Sequence, residues 1–295
     1  MSGDETLKKI ALGTVQIGLP YGVANQGGKV QVEEAGQVLF AARKAGIDTL
    51  DTAIAYGDSE AVLGTLDLSG FNIISKLPEM PDTVTDVAAW VECQFSGSLD
   101  RLNVSRLYAL LLHRPQQLLG ERGEALYAAL VALRDQGRVE KIGISIYDPQ
   151  ELDAFEGRMA FDLVQAPFNV LDRRLVDSGW LARLHDRGVE VHVRSVFMQG
   201  LLLMSTDARP AKFSRWDTLW AAWSKWLADS NQTPLQACLR YVLSVPHISR
   251  LVVGVDNQQQ LQEILGAVDD VSVPVPAGLC STDIELLNPS LWSRL

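Results

Sequence analysis

The sequence predicts a single-domain (β/α)8 barrel, an α/β fold, on three observations. Eight short apolar runs alternate with longer segments of helical period, as βα units around a parallel sheet do. The strand runs carry few polar interruptions, the pattern of strands buried on both faces. The chain has 295 residues, and such a barrel needs about 250, which leaves the rest for loops and tails.

Taken in order, residues 9–14 and 49–51 are the first two strands, joined through a helix at 32–45 that Gly46 ends. A helix at 59–66 leads to the third strand at 72–76, and one at 84–102 to the fourth at 107–113. The helix at 123–136, closed by Gly137, precedes a strand at 141–145. Residues 149–156 are the next helix and 163–165 the sixth strand. A helix at 178–187, closed by Gly188, precedes the seventh strand at 189–195. Helices at 219–228 and 234–244 then lead to the last strand, 251–254, and the last helix, 258–267. A doubly wound sheet is the runner-up, but the first strand runs into LGTVQIG and not GxGxxG. No linker rich in Pro, Gly or Ser divides the chain, so residues 1–295 read as one domain.

Composition excludes several classes. Hydrophobic residues make up 47% and charged residues 21%, ordinary for a soluble enzyme. No apolar run is long enough to cross a bilayer, and MSGDETLKK lacks the core of a signal peptide. Cys93, Cys238 and Cys280 are odd in number and far apart, so neither a disulfide framework nor a zinc site is expected; the reducing cytoplasm is. The net charge of −10 argues against nucleic-acid and membrane partners. His113, His185, His192 and His247 show no metal-ligand spacing, and no metal is expected.

The chemistry lies at strand ends. Asp51, Lys76 and His113 end the second, third and fourth strands, and Tyr56 lies in the loop after Asp51. Barrel enzymes react at that face. Singly, His113 reads as a hydrogen-bonded core residue and Lys76 as a surface charge; at three consecutive strand ends, those readings need coincidences. Free tyrosine has a pKa of about 10, and a nearby ammonium is expected to depress it. Tyr56 then serves as general acid to a carbonyl oxygen, with Asp51 fixing Lys76 and His113 donating a second hydrogen bond. None of these groups delivers a hydride, so a nicotinamide cofactor is implied.

Over most of the chain, LGTVQIG, DTAIAYGDSEAVLG, IISKLP, LLLHRP, GRVEKIGIS, VQAPFNVLDRR, VRSVFMQGLL and VVGVDNQQQLQEIL resemble successive segments of the aldo-keto reductase family. The resemblance implies a (β/α)8 barrel and NADP(H), less often NAD(H). It makes Asp51, Tyr56, Lys76 and His113 the catalytic tetrad, and Ser145 and Gln165 the holders of the nicotinamide carboxamide. Thr14 and Val15 fall beside the cofactor, and Ser195, Phe197, Gly200 and Leu201 along the pyrophosphate. Gly254, Asp256, Asn257 and Gln260 fall at the adenosine end, where a helix N-terminus favours phosphate.

Four positions depart from the family pattern. The usual Ser-Asn pair is Ser145-Ile146, and an asparagine near the adenine is Ile264. Arg194 replaces an aromatic residue that stacks on the nicotinamide; guanidinium planes also stack, and its charge is expected to favour the reduced cofactor. Asp256 and Asn257 replace the basic contacts to the 2′-phosphate, which keeps NAD(H) open. Lys212, Arg209 or Arg215 supplies the missing charge, or all three are solvated surface residues.

Trp216, Trp220, Trp223 and Trp226 recur at helical spacing and read as a packed face or an oligomer contact. Tyr21, with Tyr56 and His113, is expected to line the substrate pocket. In the tail at 271–295, Trp292 either touches substrate or docks on the barrel. The resulting expectation is reduction of an aldehyde or ketone, sugar-type carbonyls among them, by a monomer or small homo-oligomer. A cofactor-holding redox-sensing module with little turnover is the alternative. A phosphate-handling isomerase is a third, for which VVGVDN is a poor cradle.

Overall fold

The structure, a computed structural model, describes residues 6–25, 27–268 and 273–295. Eight parallel strands pair in chain order: β1 (Ile10–Gly13), β2 (Thr49–Asp51), β3 (Asn72–Leu77), β4 (Leu107–Leu112), β5 (Val139–Ser145), β6 (Leu163–Pro167), β7 (Glu190–Arg194) and β8 (Arg250–Gly254). Four residue pairs, Ile10↔Leu251 through Gly13↔Gly254, join β8 to β1 and close the barrel. The predicted fold class is therefore the observed one.

The surrounding helices are α1 (Val32–Lys44), α2 (Ser59–Leu63), α3 (Val87–Leu102), α4 (Gly123–Asp135), α5 (Trp180–Asp186), α6 (Asp217–Ser230), α7 (Pro234–Ser244) and α8 (Gln258–Ala267). Gly46 and Gly137 adopt φ of +84° and +71° just past α1 and α4, the left-handed exit that a Cβ would oppose. Three expected helices differ. The one at 59–66 stops at Leu63, and Gly64 lies so close to α3 that a Cβ would come 2.0 Å from the Arg101 carbonyl oxygen. Residues Pro149–Ala154 form a 3-10 helix, started by a capping box between Asp148 and Glu151. The helix at 178–187 is instead α5 preceded by a turn at Arg174–Asp177, with Gly179 at φ +76° between them. A single helical turn, Val15–Gly18, follows β1 where only loop was expected.

Strand parity positions the site. Ile74, Leu111 and Leu163 form a small buried cluster with Ala109, separate from the main core between sheet and helices. Each lies two residues before Lys76, His113 and Gln165 respectively. Side chains two apart on a strand share a face, so the apolar layer inside the barrel and the polar groups above it come from the same alternation.

The tryptophan stripe is core. Trp216, Trp220, Trp223 and Trp226 are all buried, and three indoles hydrogen-bond, to Asp283 Oδ2, the Phe213 carbonyl and the Pro274 carbonyl. Of the two expectations for Trp292, contact with substrate or docking on the barrel, docking is the one observed. Trp292 is buried, sets its ring edge-on to Phe213 at 5.0 Å and donates to the Leu286 carbonyl, so it docks the tail.

Candidate active site

Asp51 closes β2, Lys76 lies one residue from the end of β3, and His113 follows β4. Tyr56 is carried by the loop between β2 and α2. Lys76 is buried with its ammonium fully directed. It donates to Asp51 Oδ1 at 2.6 Å and to the Thr52 carbonyl at 2.8 Å, and its third contact is the Tyr56 hydroxyl at 3.5 Å. His113 sets its ring edge to Tyr56, with centroids 5.8 Å apart and planes at 78°. All four predicted catalytic residues thus meet at one mouth. Gly18 allows the approach: a Cβ there would stand 1.7 Å from the Tyr56 carbonyl oxygen.

The electrostatics correct one expectation. Burial raises the Tyr56 pKa, and this outweighs the opposing pull of Lys76, so the phenol is not depressed below its ordinary value. Tyr56 therefore holds its proton through neutral pH. Burial alone would lower the Lys76 pKa, but Asp51 and Tyr56 reverse this and keep the amine charged. Burial, with the cations Lys76 and Arg194, lowers the His113 pKa to about 3, so its imidazole is neutral.

A cavity of about 560 Å³ runs from Tyr56, His113 and Tyr21 to Asp256 and Gln260. Of the residues predicted for a cofactor, Thr14, Val15, Asp51, Gln165, Arg194, Ser195, Phe197, Gly200, Gly254, Asp256 and Gln260 line it. Ser145, Leu201 and Asn257 do not. Ser145 is buried and donates to Gln165 Oε1 at 3.4 Å, and Leu201 is buried in the core. Asn257 caps α8, its Oδ1 accepting the Gln260 amide at 2.9 Å. Gln165 is also committed: its Nε2 donates to Asp51 Oδ2 at 2.7 Å.

Two groups that sequence reasoning missed help to shape the cavity. Gln16 lays its amide over Gly254, where a Cβ would come 2.3 Å from Nε2, and its Oε1 is buried without a partner. Asn25 reaches from the β1 loop to Asp256 Oδ1 at 3.1 Å, so this loop straps the cavity's far end. The motif LGTVQIG drew attention to Thr14 and Val15; only the helical turn after β1 turns Gln16 inward. An elongated cleft, a glycine-floored wall and an orphaned amide oxygen fit a nicotinamide dinucleotide, whose ribose hydroxyls are hydrogen-bond donors.

The three candidate 2′-phosphate cations are engaged elsewhere. Lys212 donates to the Trp292 carbonyl, Arg209 lies 4.2 Å over the Trp220 ring, and Arg215 pairs with Asp283 and Glu285. Arg194 is the sole lysine or arginine, among the described residues, that lines the cavity. The loop after it holds Ser195, Met198 and Gln199 at positive φ, backbone strain concentrated beside the cavity.

The profile of the aldo/keto reductase family matches residues 9–273. The chain belongs to the aldo/keto reductase family. An aldo-keto reductase of Mycobacterium sp. strain KMS is 29% identical over 182 residues, 58% of this chain and 62% of that protein. The matched stretch thus spans under two thirds of that relative's length. A Schizosaccharomyces pombe protein with the provisional name of voltage-gated potassium channel subunit beta is 25% identical over 92% of this chain and 88% of its own. Among solved structures, the glycerol dehydrogenase of Gluconobacter oxydans superposes with TM-score 0.70 at 20% identity, covering 90% of this chain and 88% of that one. The holo form of an aldo-keto reductase from Bacillus halodurans gives 0.71 at 18% identity over the same shares. At those identities, the two structures speak for the aldo/keto reductase barrel alone. Among the described residues, no group of three or more His, Cys, Asp or Glu is placed to hold a metal, and no helix is long and apolar enough to cross a membrane.

Proposed function

We propose that this aldo/keto reductase reduces an aldehyde or ketone to the alcohol with a nicotinamide cofactor, Tyr56 being the proton donor. The observation that carries the reading is the contact set around Lys76, which places a protonated phenol and a neutral imidazole at one cavity mouth. Thr14, Gln16, Gly254 and Gln260 would hold the cofactor, which would supply the hydride that the carbonyl carbon needs. Tyr56 gives its proton to the carbonyl oxygen, and the charged Lys76 stabilises the phenolate left behind. Asp51, held from both sides, keeps Lys76 in place. Neutral His113 donates an N–H to the same oxygen and orients the carbonyl. Tyr21 and Tyr147 complete the apolar wall of the substrate end.

The acidic adenosine end supports NADH over NADPH. Asp256 and Glu263 line it, and no cation does among the described residues. A 2′-phosphate brought beside Asp256 meets like charge, whereas ribose hydroxyls can donate to that carboxylate.

A second reading is a cofactor-holding, redox-sensing subunit with little turnover; the likeness to a Schizosaccharomyces pombe protein provisionally named as a channel subunit bears only on the subunit part of it. One experiment separates the two: titrate the protein with NADH and NADPH by tryptophan quenching, then follow cofactor oxidation over a panel of aldehydes and ketones. Binding with turnover supports the reductase. Cofactor that survives purification, with slow turnover of every carbonyl, supports the sensor, and no binding overturns both.

A further inference from the structure

Arg194 ends β7 at the substrate end of the cavity and has no carboxylate partner among the ion pairs of the described residues. Arg174, by contrast, pairs with both Asp148 and Asp172. The Arg194 side chain is nonetheless fixed. Nη2 donates to the Ile146 carbonyl at 2.9 Å, Nη1 reaches Ser195 Oγ at 3.3 Å, and the guanidinium lies 4.6 Å over the Tyr147 ring. Arg114, next to His113, places a second guanidinium 5.6 Å from the same ring. Two of five N–H donors are used, leaving the rest of the fork free.

The surrounding charges leave this cation uncompensated. The carboxylates lining the cavity are Asp51, Asp256 and Glu263. Asp51 is taken by Lys76 and Gln165, and the other two belong to the adenosine end. A chain of net charge −10 thus presents a pre-set, unpaired arginine beside its reacting groups, with the exposed Arg114 against the same Tyr147 ring. Planar forks of this kind bind carboxylate or phosphate through two hydrogen bonds, and a fixed rotamer lowers the entropy lost on binding.

We infer that Arg194, braced on Tyr147 and supported by Arg114, binds an oxyanion on the carbonyl substrate, so that the substrates are anionic aldehydes or ketones. This rests on the reductase reading above and adds the charge class to it. Carboxylate and phosphate share the chemistry, and matched pairs distinguish them.

The test compares kcat/KM for 4-formylbenzoate against 4-formylbenzamide, and for glyceraldehyde 3-phosphate against glyceraldehyde. The wild-type protein and the variants Arg194→Gln, Arg194→Lys and Arg114→Gln are assayed. In at least one pair the wild-type protein is expected to prefer the anion by about tenfold or more, as charge-assisted bonds do, with the preference falling as salt rises. Arg194→Gln is expected to remove most of that ratio through KM, Arg194→Lys to retain part, and Arg114→Gln to reduce it a few-fold. The pair that shows the preference identifies the anion. The ratio within a pair cancels any effect on cofactor binding. A wild-type ratio near one in both pairs overturns the inference, as does a ratio unchanged in Arg194→Gln. In either case, continuing reduction of neutral aldehydes leaves the reductase reading standing. A wild-type protein that reduces none of the four overturns both.

Discussion

Gln165 on β6 donates to Asp51 on β2 at 2.7 Å, so the carboxylate that holds Lys76 is itself held from the opposite wall of the barrel. The residues are 114 positions apart in sequence. Both Asp51 oxygens are therefore engaged, one by an ammonium and one by an amide. This ties the position of the Tyr56 hydroxyl, through Lys76, to closure of the sheet.

Breaking that chain should cost stability as well as activity. In Lys76→Met, a buried carboxylate loses its counter-ion, and such losses cost about 3–5 kcal/mol. The double variant Asp51→Asn with Lys76→Met removes both charges and should recover much of that loss. Urea unfolding of the three proteins checks the order, wild type above double above single. A double variant less stable than the single would remove the pairing argument.

Cofactor preference should follow Asp256. Wild-type protein is expected to bind NADH at least about tenfold more tightly than NADPH, a difference of about 1.4 kcal/mol. Asp256→Arg should move the ratio toward NADPH by a similar factor, since it replaces repulsion of the 2′-phosphate by attraction. Fluorescence titration of both proteins with both cofactors measures the four constants. A wild-type protein that prefers NADPH would contradict the reading of the acidic end.

Gly18→Ala should disable the site without altering any of its polar side chains. The added methyl meets the Tyr56 carbonyl at 1.7 Å and the Ser59 amide nitrogen at 2.7 Å, so the loop bearing Tyr56 must move. Overpacking of this kind costs about 1–3 kcal/mol, and the displaced phenol should lower kcat more than it weakens cofactor binding. Steady-state kinetics beside a thermal melt test both parts.

Acid should unfold the protein through its neutral histidines. Burial lowers the pKa of His192, and it lowers that of His113 to about 3, each below the value of about 6.5 in an unfolded chain. Their contribution is thus complete above about pH 6.5 and is lost as pH falls from there toward 3, because only the unfolded state takes up the protons. Glu190 acts in the same direction at lower pH. Burial pushes its pKa up, but hydrogen bonds from His192, Lys141 and Tyr108 bring it down to about 2. Urea midpoints at several pH values should fall below pH 6.5, less steeply in a His113→Gln, His192→Gln double variant. Equal slopes in the two proteins would refute the assignment.

Much of the fold was legible because a closed parallel sheet writes itself as eight doubly buried runs, and both β2 and α8 match their expected bounds. The tetrad was legible because it ends consecutive strands, a position that spacing reveals. Contacts made across the barrel were not. Nothing local in VQAP shows that Gln165 spends its amide on Asp51, nor in LGTVQIG that Gln16 turns over Gly254. The Tyr56 pKa was misjudged for a related reason: the ammonium beside the phenol is visible in sequence order, whereas the burial that outweighs it belongs to the assembled barrel. Lys212, Arg209 and Arg215 likewise find their partners in the tail and on Trp220, surfaces that only packing brings to them.

The central claim is that the Tyr56 hydroxyl supplies the proton, and Tyr56→Phe tests it most directly. The change removes one oxygen and leaves the ring against His113. NADH titration and single-turnover carbonyl reduction should be measured on the same preparation. The account expects cofactor affinity within a few-fold of wild type and turnover reduced by about 10²–10⁴-fold, the range for loss of a general acid. Turnover near the wild-type rate with cofactor binding intact would contradict it and place the proton source elsewhere in the cavity.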